Sequence, residues 1–273
     1  MTTNKERITK LMGAEKYVIA CAHLIPLPGS TGYDREGGMK KIIARALRDT
    51  RIFLDNGVTS IMFVNEADIP FYERLPIEGI AAFTHVVTTV VSELNINIPY
   101  GINSINDAGA GLCIALATGA TFLRGNFAGV LASNQGIYTS QGCDLYRKKA
   151  NLGMKQEEPP YFFHNLGNDH GHDLTERDSL SMAKSLAMDI YAQPHGWAIA
   201  PDDLAMVQEV KNATPEFPVV ACKSTNHENL KALMNVFDGT IVASSMHEDG
   251  KLFTQVDPDR TKRFMDIFRT VGR

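Results

Sequence analysis

Nothing in this 273-residue sequence approaches the ~20 consecutive apolar residues that span a bilayer, and its opening MTTNKERITK is polar where a signal segment would be apolar. Only four cysteines occur, Cys21, Cys113, Cys143 and Cys222, far apart and without a C-x-x-C pair, so reduced thiols are expected rather than a disulfide framework. Lysines and arginines are scattered and the formal net charge is −4, which leaves no basic stripe for nucleic acid or an anionic membrane. There is no Walker loop, no Rossmann fingerprint and no G-x-S-x-G nucleophile turn. Internal repeats and low-complexity segments are missing too. Together these absences predict a cytoplasmic protein with no membrane span and no nucleic-acid partner. A small-molecule ligand is the expected partner, and no motif names a cofactor.

What is present is an ordinary globular balance, 44% hydrophobic and 21% charged, enough for a large core. It is arranged in a steady rhythm. Tyr17 to Gly32, YVIACAHLIPLPGSTG, starts as a short apolar run that reads as a buried strand, ends in His23, and then turns out through Pro26, Pro28 and Gly29. A helix follows over Met39 to Asn56, with Ile43, Ala46, Leu47, Thr50 and Leu54 on one face and Gly57 as its stop. Further strands are expected at 60–64, 98–102, 121–124, 161–165, 190–193, 219–222 and 240–243, with helical segments between them. Asn106 is the expected N-cap of the helix 108–118, Thr175 opens another by a capping-box pattern, Pro201 suits a first helical turn, and Asp257-Pro258 starts the last. Eight strands alternating with helices predict one (β/α)8 TIM barrel across residues 1–273, interrupted by a long polar loop insertion at about 127–156.

Barrel enzymes build their sites from residues at the carboxyl ends of the strands. In this sequence those residues are His23, Asn65 with Glu66, Asn103, Arg124 with Asn126, His164 with Asn165, Lys223, and Ser244 with Ser245. His23 and Glu66 have the chemistry of general acids and bases, and Arg124 can clamp a carboxylate or phosphate. An equally weighted alternative is a Glu66–Arg124 ion pair that ties neighbouring strands. Asn65, Asn103 and Asn126 offer a donor and an acceptor each to a hydroxyl-rich ligand. Lys223 is the only lysine at a strand exit, so a Schiff base is conceivable there, with a surface lysine as the default. His164, His170 and His172 with Asp169 and Asp173 have the composition of a metal site. Their Gly-containing loop supplies no rigid spacing, so a solvated loop is expected and no metal is assigned.

The strand-end stretches AHLIPLPGS, FVNEADIPF, GINSIND and ATGATFLRGNFAGVLASNQG, with DGTIVASSMHEDGKLFTQVDPDRTKRFM near the C-terminus, resemble the BtpA family over nearly the whole chain. That resemblance includes the SgcQ-like proteins encoded among bacterial carbohydrate-utilisation genes, and it too implies a TIM barrel. It implies importance for His23, Glu66, Asn103, Arg124, Asn126 and Asp144. The sequence departs from the family pattern at Ser224 and Ala243, where relatives carry glycines suited to a phosphate. It departs again at Phe163-His164-Asn165, where relatives often carry Asp-x-His, and at Asp144, where glutamate is usual.

Two functions of different kinds follow as expectations. One is an enzyme acting on a small polyhydroxylated metabolite by proton transfer or aldol cleavage, with His23, Glu66 and Arg124 catalytic and Asn65, Asn103, Asn126, Asp144 and Lys223 binding substrate. The other, implied by the family name, is a non-catalytic assembly or stability factor such as photosystem I biogenesis requires. A metal-dependent hydrolase is the weaker third. A barrel of this size also suits a homo-oligomer, although no sequence stripe demands one.

Overall fold

In the computed structural model, which describes residues 3–127, 130–133, 136–139, 141–165, 171–173, 190–194, 208, 211–212, 215–222 and 225–271, the strands run in two alternating sets. All seven residues of β1 (Tyr17–His23) are buried, as expected for a strand covered on both faces. Its odd-numbered members Tyr17, Ile19 and Cys21 join one apolar cluster, while Val18, Ala20 and Ala22 join another. The same period of two recurs in β2 (Ser60–Val64), in β4 (Phe122–Gly125) and in β7 (Tyr161–Asn165). One cluster fills the barrel interior and the other lies beneath the helices.

Eight parallel strands close the barrel: β1, β2, β3 (Tyr100–Asn103), β4, β7, β9 (Ile190–Pro194), β10 (Val219–Cys222) and β11 (Gly239–Val242), with β11 pairing back onto β1. Described helices are α1 (Asn4–Met12), α2 (Gly38–Asp55), α3 (Ile77–Glu93), α4 (Ala108–Thr118), α5 (Gly142–Asn151), α6 (Leu230–Val236) and α7 (Pro258–Val271). The fold is the expected TIM barrel. The helix starts expected at Thr175 and Pro201 lie outside the described residues. Among the described residues, no helix is long and apolar enough to cross a membrane.

Inside the barrel the Phe122 and Phe163 rings stack with centroids 4.5 Å apart. Gly101 makes room for them, since a Cβ there would stand 2.2 Å from the Phe122 ring. The amino-terminal end is closed by α1. Its Thr3 and Glu6 form a capping box, its backbone joins Glu216 through the Lys5 N–H at 2.8 Å, and Ile8 and Met12 extend the interior cluster.

Several local expectations shift. The N-cap of α4 is Asp107, whose carboxylate accepts from the Ala110 N–H at 2.9 Å, and not Asn106. The fully buried face of α2 is Ile42, Ala46, Asp49, Thr50 and Phe53, so Ile43, Leu47 and Leu54 lie at its margins. The long polar connection is mostly ordered secondary structure. It contains a hairpin, β5 (Val130–Ser133) with β6 (Gly136–Thr139), and then α5, the regular barrel helix after β4. A further short strand, β8 (Gly171–Asp173), adds to β5 antiparallel. The hairpin and β8, which lies beyond the expected loop, together make a three-stranded sheet.

Candidate active site

Because the inward row of each strand carries odd or even numbers consistently, the side chains at the barrel mouth can be traced from the cluster below them. His23 continues Tyr17, Ile19 and Cys21; Arg124 continues Phe122; Asn165 continues Tyr161 and Phe163; Cys222 continues Val220. Arg124 lies at the centre of this row. Its Nε donates to Asn165 Oδ1 at 3.0 Å and its Nη2 to Cys222 Sγ at 2.9 Å. With the Asn103 amide oxygen turned towards the guanidinium, Nη1 donates to it at 3.1 Å, while the amide nitrogen donates to the Arg124 carbonyl at 3.2 Å. The partners described for Arg124 are thus neutral. A guanidinium held flat by three fixed acceptors is a preorganised cation at the floor of the mouth.

Glu66, just beyond β2, is bound to His23: Nε2 and Oε2 are 3.0 Å apart. The histidine side chain is 4% exposed and the carboxylate 26%, so Glu66 faces outward and His23 stands behind it. Behind His23 is a second histidine, His247, with ring centroids 5.7 Å apart and an interplanar angle of 65°. The half-exposed Phe253 ring also meets His23, nearly at right angles, with centroids 6.5 Å apart. His247 donates from Nδ1 to the Thr254 carbonyl at 2.8 Å, since a carbonyl can only accept. Burial, with the neighbouring His23 as second cause, lowers its pKa from 6.5 to about 4, so its ring is neutral at pH 7.

The asparagines divide by role. Asn65 is a staple: its amide nitrogen donates to Asp68 at 3.0 Å and its oxygen accepts from the Ile105 N–H at 2.9 Å. Asp68 in turn accepts from the Leu27 N–H at 2.7 Å, tying the proline-rich loop after β1 to the β2 exit. Burial raises the Asp68 pKa, an effect its hydrogen bonds oppose. Both functional groups of Asn65 are therefore used inside the protein. Asn126 is half-buried at the β4 exit. Asp144 is exposed in the first turn of α5 and makes none of the hydrogen bonds or ion pairs described for the mouth. Lys223 and Ser224 lie outside the described residues.

The histidines considered for a metal separate as well. His164 has the outward parity of β7, is buried, and accepts the Phe127 N–H on Nδ1 at 3.1 Å. His172 and Asp173 belong to β8, while Asp169 and His170 are outside the described residues. Among the described residues no group of three His, Cys, Asp or Glu side chains is placed to hold a metal.

Two participants escape sequence reasoning. Cys222 was read only as the end of an apolar strand, although its inward parity was available. His247 lies five residues beyond β11, past the strand-exit positions, and a 3-10 turn over Ser244–Met246 brings it back to the mouth.

Residues 14–270 match the sequence profile of the BtpA family. The chain belongs to that family. It is 29% identical over 272 residues to the sgc region protein SgcQ of Escherichia coli, covering 97% of this chain and 99% of SgcQ. It is also 29% identical over 263 residues to the photosystem I biogenesis protein BtpA of Synechocystis, covering 91% and 86%. Among solved structures it superposes on 2-keto-3-deoxy-6-phosphogluconate aldolase of Zymomonas mobilis with a TM-score of 0.58, 10% identity, and 97% and 98% coverage. At that identity the likeness extends to the barrel fold alone.

Proposed function

We propose that this BtpA-family barrel is an enzyme that moves a proton on a small polyhydroxylated metabolite, in an isomerisation, epimerisation or aldol-type cleavage. The observation that carries this reading is the His23–Glu66 pair at the mouth, 3.0 Å apart, with the carboxylate outward and the imidazole enclosed. Glu66 is reachable by a ligand and exchanges a proton with it, and His23 shares that proton at its Nε2. Arg124, fixed by Asn103, Asn165 and Cys222, supplies positive charge for an oxyanion that develops when a carbon next to a carbonyl loses its proton. Proton transfer and oxyanion stabilisation are the two requirements of enolisation, which sugar isomerases and aldolases share.

The test is a thermal-shift panel of aldoses, ketoses, polyols and their phosphates, followed by turnover assays on every compound that stabilises the wild type. Glu66→Gln, which keeps the shape and loses the base, is expected to retain stabilisation and to lose turnover by a factor of roughly 10² or more. Absence of any stabilising compound, or full turnover in Glu66→Gln, would falsify the reading. Similarity to the photosystem I biogenesis protein favours an assembly role as the second reading. That reading expects a stable protein partner on co-purification and undiminished partner binding in folded Glu66→Gln.

A further inference from the structure

His23 has two ring nitrogens and the described structure uses one. Nε2 meets Glu66, while Nδ1 is buried without a hydrogen-bond partner among the described residues. His247, whose ring lies 5.7 Å away, is in a complementary condition: Nδ1 is committed to Thr254 and Nε2 is buried without a partner among the described residues. Two adjacent imidazoles, each 8% exposed or less, therefore each keep one unsatisfied nitrogen. An unsatisfied buried polar group is costly, and two side by side call for an explanation beyond packing.

The tautomer of His247 is set from outside the site. Thr254 O, which takes its Nδ1–H, also accepts from Arg45 on α2, and Arg45 is held by the buried Asp49. Asp49 accepts further from Arg48 at 2.7 Å and from the Val256 N–H at 3.2 Å. With Nδ1–H pinned in this way, a neutral His247 presents a lone pair on Nε2. The charged or titratable groups acting on it are His23 from β1 and Asp49 and Arg45 from α2, and its neutral state holds down to about pH 4.

We propose that His247 is a positioning residue whose Nε2 accepts the hydrogen bond of His23 Nδ1–H when the Glu66–His23 pair carries a proton taken from substrate. His23 keeps its own single hydrogen on Nδ1 before and after the exchange, its Nε2 lone pair faces Glu66, and the exchanged proton lies between Glu66 Oε2 and that nitrogen. It entered from the substrate carbon through Glu66 and returns by the same route, so no proton is created or lost. Without His247 the buried imidazole Nδ1–H would lack an acceptor among the described residues. This assignment rests on the proposed proton-transfer role of Glu66 and His23, and its test does not need their substrate.

The experiment is imidazole ¹⁵N NMR of the full chain, as wild type, His247→Phe and His247→Gln, with circular dichroism to establish folding. In the wild type, His247 is expected to remain neutral with hydrogen on Nδ1 through pH 5–8, and the charged form of His23 to show a hydrogen-bonded Nδ1–H. His247→Phe is expected to lower the proton affinity of His23 about tenfold, the order of one hydrogen bond to a charged group. His247→Gln, with an amide oxygen near the lost Nε2, is expected to restore it. An unchanged His23 titration in folded His247→Phe overturns the inference. So does a wild-type His247 that carries hydrogen on Nε2, an outcome readable even where both variants fail to fold. Either result leaves the Glu66-dependent turnover test standing.

Discussion

Lys149 sits fully inside the protein, with its ammonium donating to the carbonyls of Gln156, Glu158 and Pro160 at 3.2, 2.6 and 3.2 Å and lying 5.2 Å from the Phe162 ring centroid. Three carbonyls and an aromatic face replace the water that a lysine normally keeps, and they shape the approach to β7. Replacing the charge without replacing the donor is expected to be costly. Lys149→Met should lower unfolding free energy by about 2–3 kcal/mol, read as a lower urea midpoint with unchanged slope. Sequence reasoning placed Lys149 in a charged polar stretch, because nothing in a lysine's neighbours marks it as buried. The same limit applies at the mouth. His23, Glu66, Asn103 and Arg124 could be found from their strand-exit positions, but their pairing could not. Glu66 binds His23 across 43 residues and Arg124 reaches Cys222 across 98, contacts that only the closed barrel creates.

Helix α2 shows how an element combines packing with a polar connection. Its spacing predicted a stripe through Ile43, Ala46, Leu47, Thr50 and Leu54; Ala46 and Thr50 are buried, yet the buried face turns to include Asp49. A charged residue would be assigned to the solvent side by any periodicity argument. Here it is compensated by Arg45 and Arg48, and by the Val256 N–H of the segment that carries His247. Asp49→Ala removes the acceptor and leaves the enclosed Arg45 side chain uncompensated. It is expected to cost about 2–3 kcal/mol in urea denaturation, less than a fully buried pair because Arg48 is 40% exposed. The β5–β6 hairpin marks the other boundary of legibility. Its strands are four residues each, so the apolar residues Val130, Leu131 and Ile137 form runs too short to stand out from the polar stretch around them.

For the whole molecule, the barrel was legible because parallel strands covered on both sides read as apolar runs, and each run ends where the sequence turns polar. Its global stability should register the buried histidine. His247 has a folded pKa of about 4 against 6.5 for the ordinary side chain, so below pH 6.5 the unfolded chain takes up the proton first. Its contribution is complete above pH 6.5 and is lost as the pH falls towards 4, up to about 3 kcal/mol over that window. Unfolding free energy of His247→Gln is expected to fall less than that of the wild type between these limits. Parallel curves for the two proteins would show that His247 is not neutral by burial.

The amino-terminal plug made by Ile8 and Met12 has a consequence for traffic. With that end covered and the interior filled by Phe122, Phe163 and their neighbours, the described residues leave no passage through the barrel. If Glu66 works as proposed, a molecule bound beside it would back out through the rim by which it arrived, and a departing product would hold the doorway against the next arrival.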